Sequence, residues 1–175
     1  DRILLKSILY LISSITKNHN RHLHFLTKIK KIIKDLKNHI KDQFSNSEIF
    51  DIFKNQKKIL LFFLEEKIIS IDQSISDTIT QGKYVNYKYP EFFYPEIKEF
   101  IDEERSKILN INEFPSNFDQ KRKNGENEIF LCNLIRNDSI EEFIIHVNKT
   151  NYSLDSEIES SIFETNSFLL KNKPK

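Results

Sequence analysis

Three histidines, His19, His22 and His24, fall within six residues, with His39 farther along. Zinc accepts imidazole nitrogen, and three such ligands make up a catalytic-type site. On a helix, however, His22 and His24 point about 200° apart at 3.6 residues per turn. No cysteine stands nearby, and Asp35 is the only carboxylate between residues 2 and 41. We therefore expect solvated histidines at a helix junction and no metal or other cofactor. Paired carboxylates occur at Glu65-Glu66 and Asp102-Glu103-Glu104. General acid–base catalysis requires such groups to converge in a cleft, whereas these fall on helix surfaces by their spacing. The single cysteine, Cys132, has no disulfide partner in the chain and sits on an apolar stripe, as a small buried hydrophobe does. Two isolated glycines, Gly82 and Gly125, cannot build a phosphate-cradling loop. The expectation is no catalytic residue, no small-molecule substrate and no enzyme.

A different chemistry is available to the lysines. Lys28, Lys31 and Lys34 recur every third residue within a basic stretch. Residues 1–41 hold ten Lys and Arg against two Asp, a net +8, which leaves −7 for the rest of a chain whose total is +1. Such a face meets phosphates or an anionic membrane, and that is the alternative function. The bland reading is a solvated face, or one turned toward the acidic remainder of the protein.

The elements that carry these residues read as helices throughout. Ala, Met and Trp are absent while Ile, Lys, Asn and Phe are abundant, so Ile carries little weight as a strand signal and periodicity decides. Without Met, the chain is expected to be a fragment or a processed piece. Ile3, Leu4, Ile8, Leu11, Ile12 and Ile15 have helical spacing, and Arg21–Phe44 reads as one longer helix through Phe25, Ile29, Ile32, Ile33, Leu36 and Ile40. Ser45-Asn46-Ser47 followed by Glu48 signals a helix start, with a helix or helix pair running to Glu66. Asp72 caps a short helix that ends near Gly82. Lys83–Tyr94, rich in aromatics and proline, reads as a packed irregular connection. Pro95 opens a helix to Leu109, and residues 110–125 read as a linker. The uncharged run Ser7–Thr16 is half the roughly 20 residues that a membrane span needs.

The last fifty residues are the most informative. Ile129, Phe130, Cys132, Leu134 and Ile135 line one short helix. Arg136-Asn137-Asp138 turns the chain, with Asp138 capping a second helix and Glu141 completing the box. Phe143, Ile144 and Val147 form the second stripe. Two short amphipathic helices joined by a polar turn are the unit of helical repeats, which bury their faces on neighbours. Ile162, Phe163, Phe168, Leu169 and Leu170 then supply a candidate stacking surface, expected to be uncovered.

The strings ILLFFLEEKIISID, YPEIKEFIDEE, NGENEIFLCNLIRNDSIEEFI and SIFETNSFLLKNKP resemble the N-terminal helical region of large trichomonad-type ankyrin-repeat proteins. The resemblance covers about Lys58 to Pro174, and the T-P-L-H-x-A signature of a full repeat is absent. It implies an all-α fold of helical hairpins leading into an ankyrin-like helix-turn-helix unit. It also implies a protein–protein interaction scaffold whose partners are proteins and the downstream repeats of its own chain. The expected organisation is residues 1–81 as an N-terminal helical region, 82–125 as the aromatic connection, acidic helix and linker, and 126–175 as the helix pair. A reducing, intracellular (cytoplasmic) setting fits the lone thiol.

Overall fold

Apolar residues spaced three and four apart become helices in the computed structural model, which describes residues 1–18, 23–82, 84, 88–108, 114, 117–125, 130–153 and 161–163. Among them are twelve helices and no strand, so the class is all-α as expected. Helix α1 (Arg2–Asn18) turns Leu5, Leu9 and Ile12 inward. Helices α2 (Leu23–Asp35) and α3 (Lys37–Gln43) bury Leu26, Ile29, Ile33 and Ile40. The sequence reads these two as one helix, and the chain nearly agrees. Leu36 N still donates to Ile32 O at 3.1 Å and Ile40 N to Leu36 O at 2.9 Å across the division.

Local chemistry starts the next elements. Ser45 accepts from Glu48 N, and the Glu48 carboxylate accepts from Ser45 N, the reciprocal box that opens α4 (Asn46–Phe53). Asp72 accepts from Ile75 N at 2.9 Å to open α6 (Gln73–Ile79). Between them, α5 (Lys57–Glu65) buries Ile59, Leu60, Leu61, Phe62 and Phe63 in unbroken succession. A helix apolar all round belongs inside a core, and α5 packs against α4 on one side. A buried polar latch ties α1 to the turn between α4 and α5. Thr16 Oγ1 donates to Gln56 Oε1, Gln56 Nε2 donates to Ser13 O at 2.9 Å, and Ser13 Oγ donates to Ile52 O at 2.8 Å.

The aromatic stretch seals this core. Tyr84, Tyr89, Phe93 and Phe92 meet in sequence at centroid distances of 5.2, 5.7 and 4.8 Å. Residues 83 and 85–87 of that connection lie outside the described residues, but its far part is helical. Helices α7 (Tyr89–Phe92) and α8 (Tyr94–Ile97) each carry proline in the first turn. One apolar cluster runs from Leu5 to Ile97 and so crosses the division expected at residue 81.

Two expectations need correction. The helix foreseen from Pro95 to Leu109 is interrupted after Ile97. Asp102 accepts from Arg105 N at 2.7 Å and starts a separate α9 (Glu103–Ile108). The foreseen linker contains α10 (Phe118–Asn124), which packs on α5 and buries Phe118 and Arg122. Gly125, at φ +66°, ends it by donating to Lys121 O at 2.9 Å, as a left-handed terminal glycine does. The terminal pair, α11 (Phe130–Arg136) and α12 (Ile140–Thr150), forms a hairpin. Among the described residues, no helix is long and apolar enough to cross a membrane.

Candidate protein-binding surface

The α11–α12 hairpin is built by a tight turn. Ser139 N donates to Leu134 O at 2.9 Å and Asn137 N to Asn133 O at 3.0 Å, while Asp138 adopts φ +55°. That conformation tolerates aspartate better than most side chains. The cap foreseen at Asp138 is absent: Ser139 holds the N-cap position, without a side-chain hydrogen bond. On α11, Leu131, Cys132 and Leu134 are buried, whereas Phe130 is 54% exposed. The expected stripe through Phe130 and Ile135 therefore faces outward by about one residue of rotation. Phe130 lies 5.0 Å from the His146 ring of α12. Ile129 lies outside the described residues.

Helix α12 has no buried residue. Phe143, His146 and Val147 are half-buried toward α11, and Ile140, Ile144 and Ile145 are 61, 52 and 64% exposed. Ile140 and Ile144 stand one turn apart on one flank, with Ile145 farther round. This is an apolar helix face on a helix that, among the described residues, packs chiefly against α11.

The foreseen stacking residues are placed otherwise. Ile162 is half-buried and Phe163 is 6% exposed, and this chain itself covers them. Phe163 packs edge-on against Phe118 at 5.5 Å with the Lys121 ammonium 5.7 Å from its ring. The uncovered flank expected at these two positions is thus corrected, because α10 was read as linker and its Phe118 was not available as a partner. Phe168, Leu169 and Leu170 lie outside the described residues.

The basic trio divides. Lys28 and Lys31 are exposed, but Lys34 pairs with Glu66 at 2.7 Å. Lys30, between them, lies 5.0 Å above the Phe62 ring, and burial lowers its ammonium pKa against the pull of Glu65. The paired carboxylates do not converge either. Glu65 meets Lys123 at 3.0 Å, Glu66 meets Lys34, and Asp102 caps α9. His24 and His39 are exposed, and the described residues hold no cluster of three metal-ligating side chains. His19 and His22 lie outside the described residues.

Arg122 is the buried charge that sequence reasoning missed. One of its two terminal nitrogens donates to Glu96 at 2.9 and 2.7 Å and to Phe92 O at 3.0 Å, and the other terminal nitrogen to Asp119 at 2.8 Å. Burial opposes its charge, yet Glu96 and Asp119 together raise its pKa. The signal was present: Phe118 and Arg122 share a helix face at i, i+4, and Gly125 closes the run. An open groove of about 670 Å3 passes Glu96 and Arg122, with Lys41, Asn46, Glu65 and Ser70 also along it.

Comparison with known proteins finds no matching family model, no matching curated protein and no matching solved structure.

Proposed function

We propose that this chain is a non-enzymatic scaffold for protein–protein interaction, a helical module of the kind that leads into ankyrin repeats, and that α11–α12 is its stacking face. The observation that carries the reading is α12 itself, an eleven-residue amphipathic helix with no buried residue and three exposed isoleucines. A repeat unit at the edge of an array has that character, since each unit buries its second face only on a neighbour. Covering Ile140, Ile144 and Ile145 is worth about 3–5 kcal/mol of transfer free energy before ordering costs. That is enough to matter in a fold of ordinary marginal stability.

The experiment appends three consensus ankyrin repeats to the chain and compares thermal unfolding with a fusion to an unrelated domain. The expected result is one cooperative transition with a raised midpoint for the repeat fusion, and loss of that gain in Ile140→Ser/Ile144→Ser/Ile145→Ser. Two independent transitions with unchanged midpoints would end the proposal.

A further inference from the structure

Helix α1 has two apolar stripes, and only one of them is needed for the core. Leu5, Leu9 and Ile12 face inward. Leu4, Ile8, Leu11 and Ile15 repeat the same spacing about 100° round the helix. Ile8 and Ile15 are half-buried, but Leu4 is 61% and Leu11 60% exposed, with Ile3 at 78%. More than half of each exposed residue stands in solvent, so Leu4 and Leu11, about 20° apart round the helix, project as a ridge, with Ile3 turned to one side of it at the helix start. Helix α2, packed beside α1, adds Ile32, also exposed.

The charges around this ridge are mostly basic, with Asp1 beside Ile3 and Asp35 at the end of α2 as the acidic exceptions. Helix α1 contains Arg2, Lys6 and Lys17 and no carboxylate. Arg2 is held by Glu48 at 2.5 Å, while Lys6 and Lys17 are exposed. On α2, exposed Lys28 and Lys31 flank Ile32. Beyond residue 41 the chain is net acidic, so the molecule carries a charge gradient with its positive end at α1–α2. A second copy of this face would bring lysine against lysine.

We propose that the α1–α2 face docks on an anionic phospholipid surface, with Ile3, Leu4 and Leu11 entering the headgroup–acyl boundary and the lysines meeting lipid phosphates. Shallow apolar projections with basic flanks suit an interface where a protein helix would need a complementary groove. The charge gradient orients the whole molecule in the field of an extended negative plane, and that attraction decays within about 8 Å at physiological salt. The proposal stands apart from the α11–α12 reading, which concerns the other end of the chain.

The test is co-sedimentation of the full chain with vesicles of phosphatidylcholine alone and with roughly one-third phosphatidylserine. A peptide of alternating acidic and leucine helix faces serves as the competing partner. The chain has no Trp, so Leu11→Trp supplies a single emission reporter. We expect capture by the anionic vesicles only, a blue shift of the introduced indole's emission on capture, and a loss of at least about tenfold in both Leu4→Ser/Leu11→Ser and Lys28→Glu/Lys31→Glu. Circular dichroism checks that each variant stays folded. Absence of capture at low salt overturns the proposal, as does capture that the serine pair leaves unchanged. Binding of the acidic peptide with the vesicles ignored overturns it in favour of a protein partner.

Discussion

Lys57 donates from its ammonium to the carbonyl oxygen of Ile162 at 3.2 Å, linking residues 105 positions apart. The lysine is 2% exposed, and its nitrogen lies 5.1 and 5.2 Å from the ring centres of Tyr89 and Phe92. The start of α5, the aromatic stretch and the segment 161–163 therefore meet at one cation. Lys57→Ala removes a buried stem and two ring contacts together. We expect it to lower the unfolding free energy by about 2–3 kcal/mol. Urea denaturation measures the loss, and a midpoint equal to that of the parent chain would contradict it.

Arg122 anchors α10 to α8 through Glu96. Arg122→Met keeps most of the stem but leaves Glu96 and the Phe92 carbonyl without their donor. The expected cost is roughly 3 kcal/mol, because a half-broken buried pair leaves an uncompensated charge. A loss below about 1 kcal/mol, the size of an exposed pair, would place Arg122 effectively in solvent.

Glu96 makes stability depend on pH. Burial holds its carboxyl above the ordinary range, and the Arg122 guanidinium pulls the other way. A raised folded value means the native state binds the proton more tightly than the unfolded chain. The stabilisation is complete below the ordinary carboxylate value and is lost as pH rises through the folded one. Relative to Glu96→Gln, the parent chain should lose stability as pH rises from the ordinary carboxylate value through the raised folded one. Carboxyl-resolved NMR should show Glu96 titrating high, and higher still in Arg122→Met. A Glu96 that titrates at or below its ordinary value would refute this.

The cap of α4 is local and separable. Ser45→Ala removes the acceptor for Glu48 N and should cost about 1 kcal/mol. The Ser45 backbone amide, more than any other group, lowers the pKa of Glu48. That contribution is therefore present above the ordinary carboxylate value and disappears as pH falls through the lowered one. The difference between Glu48→Gln and the parent should shrink in acid, and denaturation curves at two pH values decide it.

The two faces of the terminal hairpin should respond oppositely. Ile144→Lys adds charge to an exposed position and should shift stability by no more than about 0.5 kcal/mol. Leu131→Ala empties a buried site and should cost about 2–3 kcal/mol, seen as faster amide exchange along α12. Equal costs for the two would mean that α12 is covered.

Where neighbouring residues suffice, the sequence alone determined the structure. The helical spacing across Ile3–Ile15, the Ser45–Glu48 box and the Asp72 cap each depend on groups within a few positions, so they are legible without a fold. The stripe read through Ile3, Leu4, Ile8, Leu11, Ile12 and Ile15 is not the one that goes inside, since Leu5 and Leu9 are buried with Ile12 while Ile3, Leu4 and Leu11 are exposed. The same holds for the all-α class and for the existence of a helix pair near residues 130–150. Only the tertiary structure decided which apolar face goes inside. Phe130 and Leu131 are adjacent and equally apolar, yet Leu131 is buried and Phe130 is not. Arg122 lies in a run of charge that reads as surface, and it becomes core because Glu96 and Phe92 arrive from another element to meet it. Phe163 is sealed by Phe118 for the same reason. Hydrogen bonds of a helix and its caps close within four residues, whereas burial is a contest among surfaces far apart along the chain, settled by which partner is brought into contact.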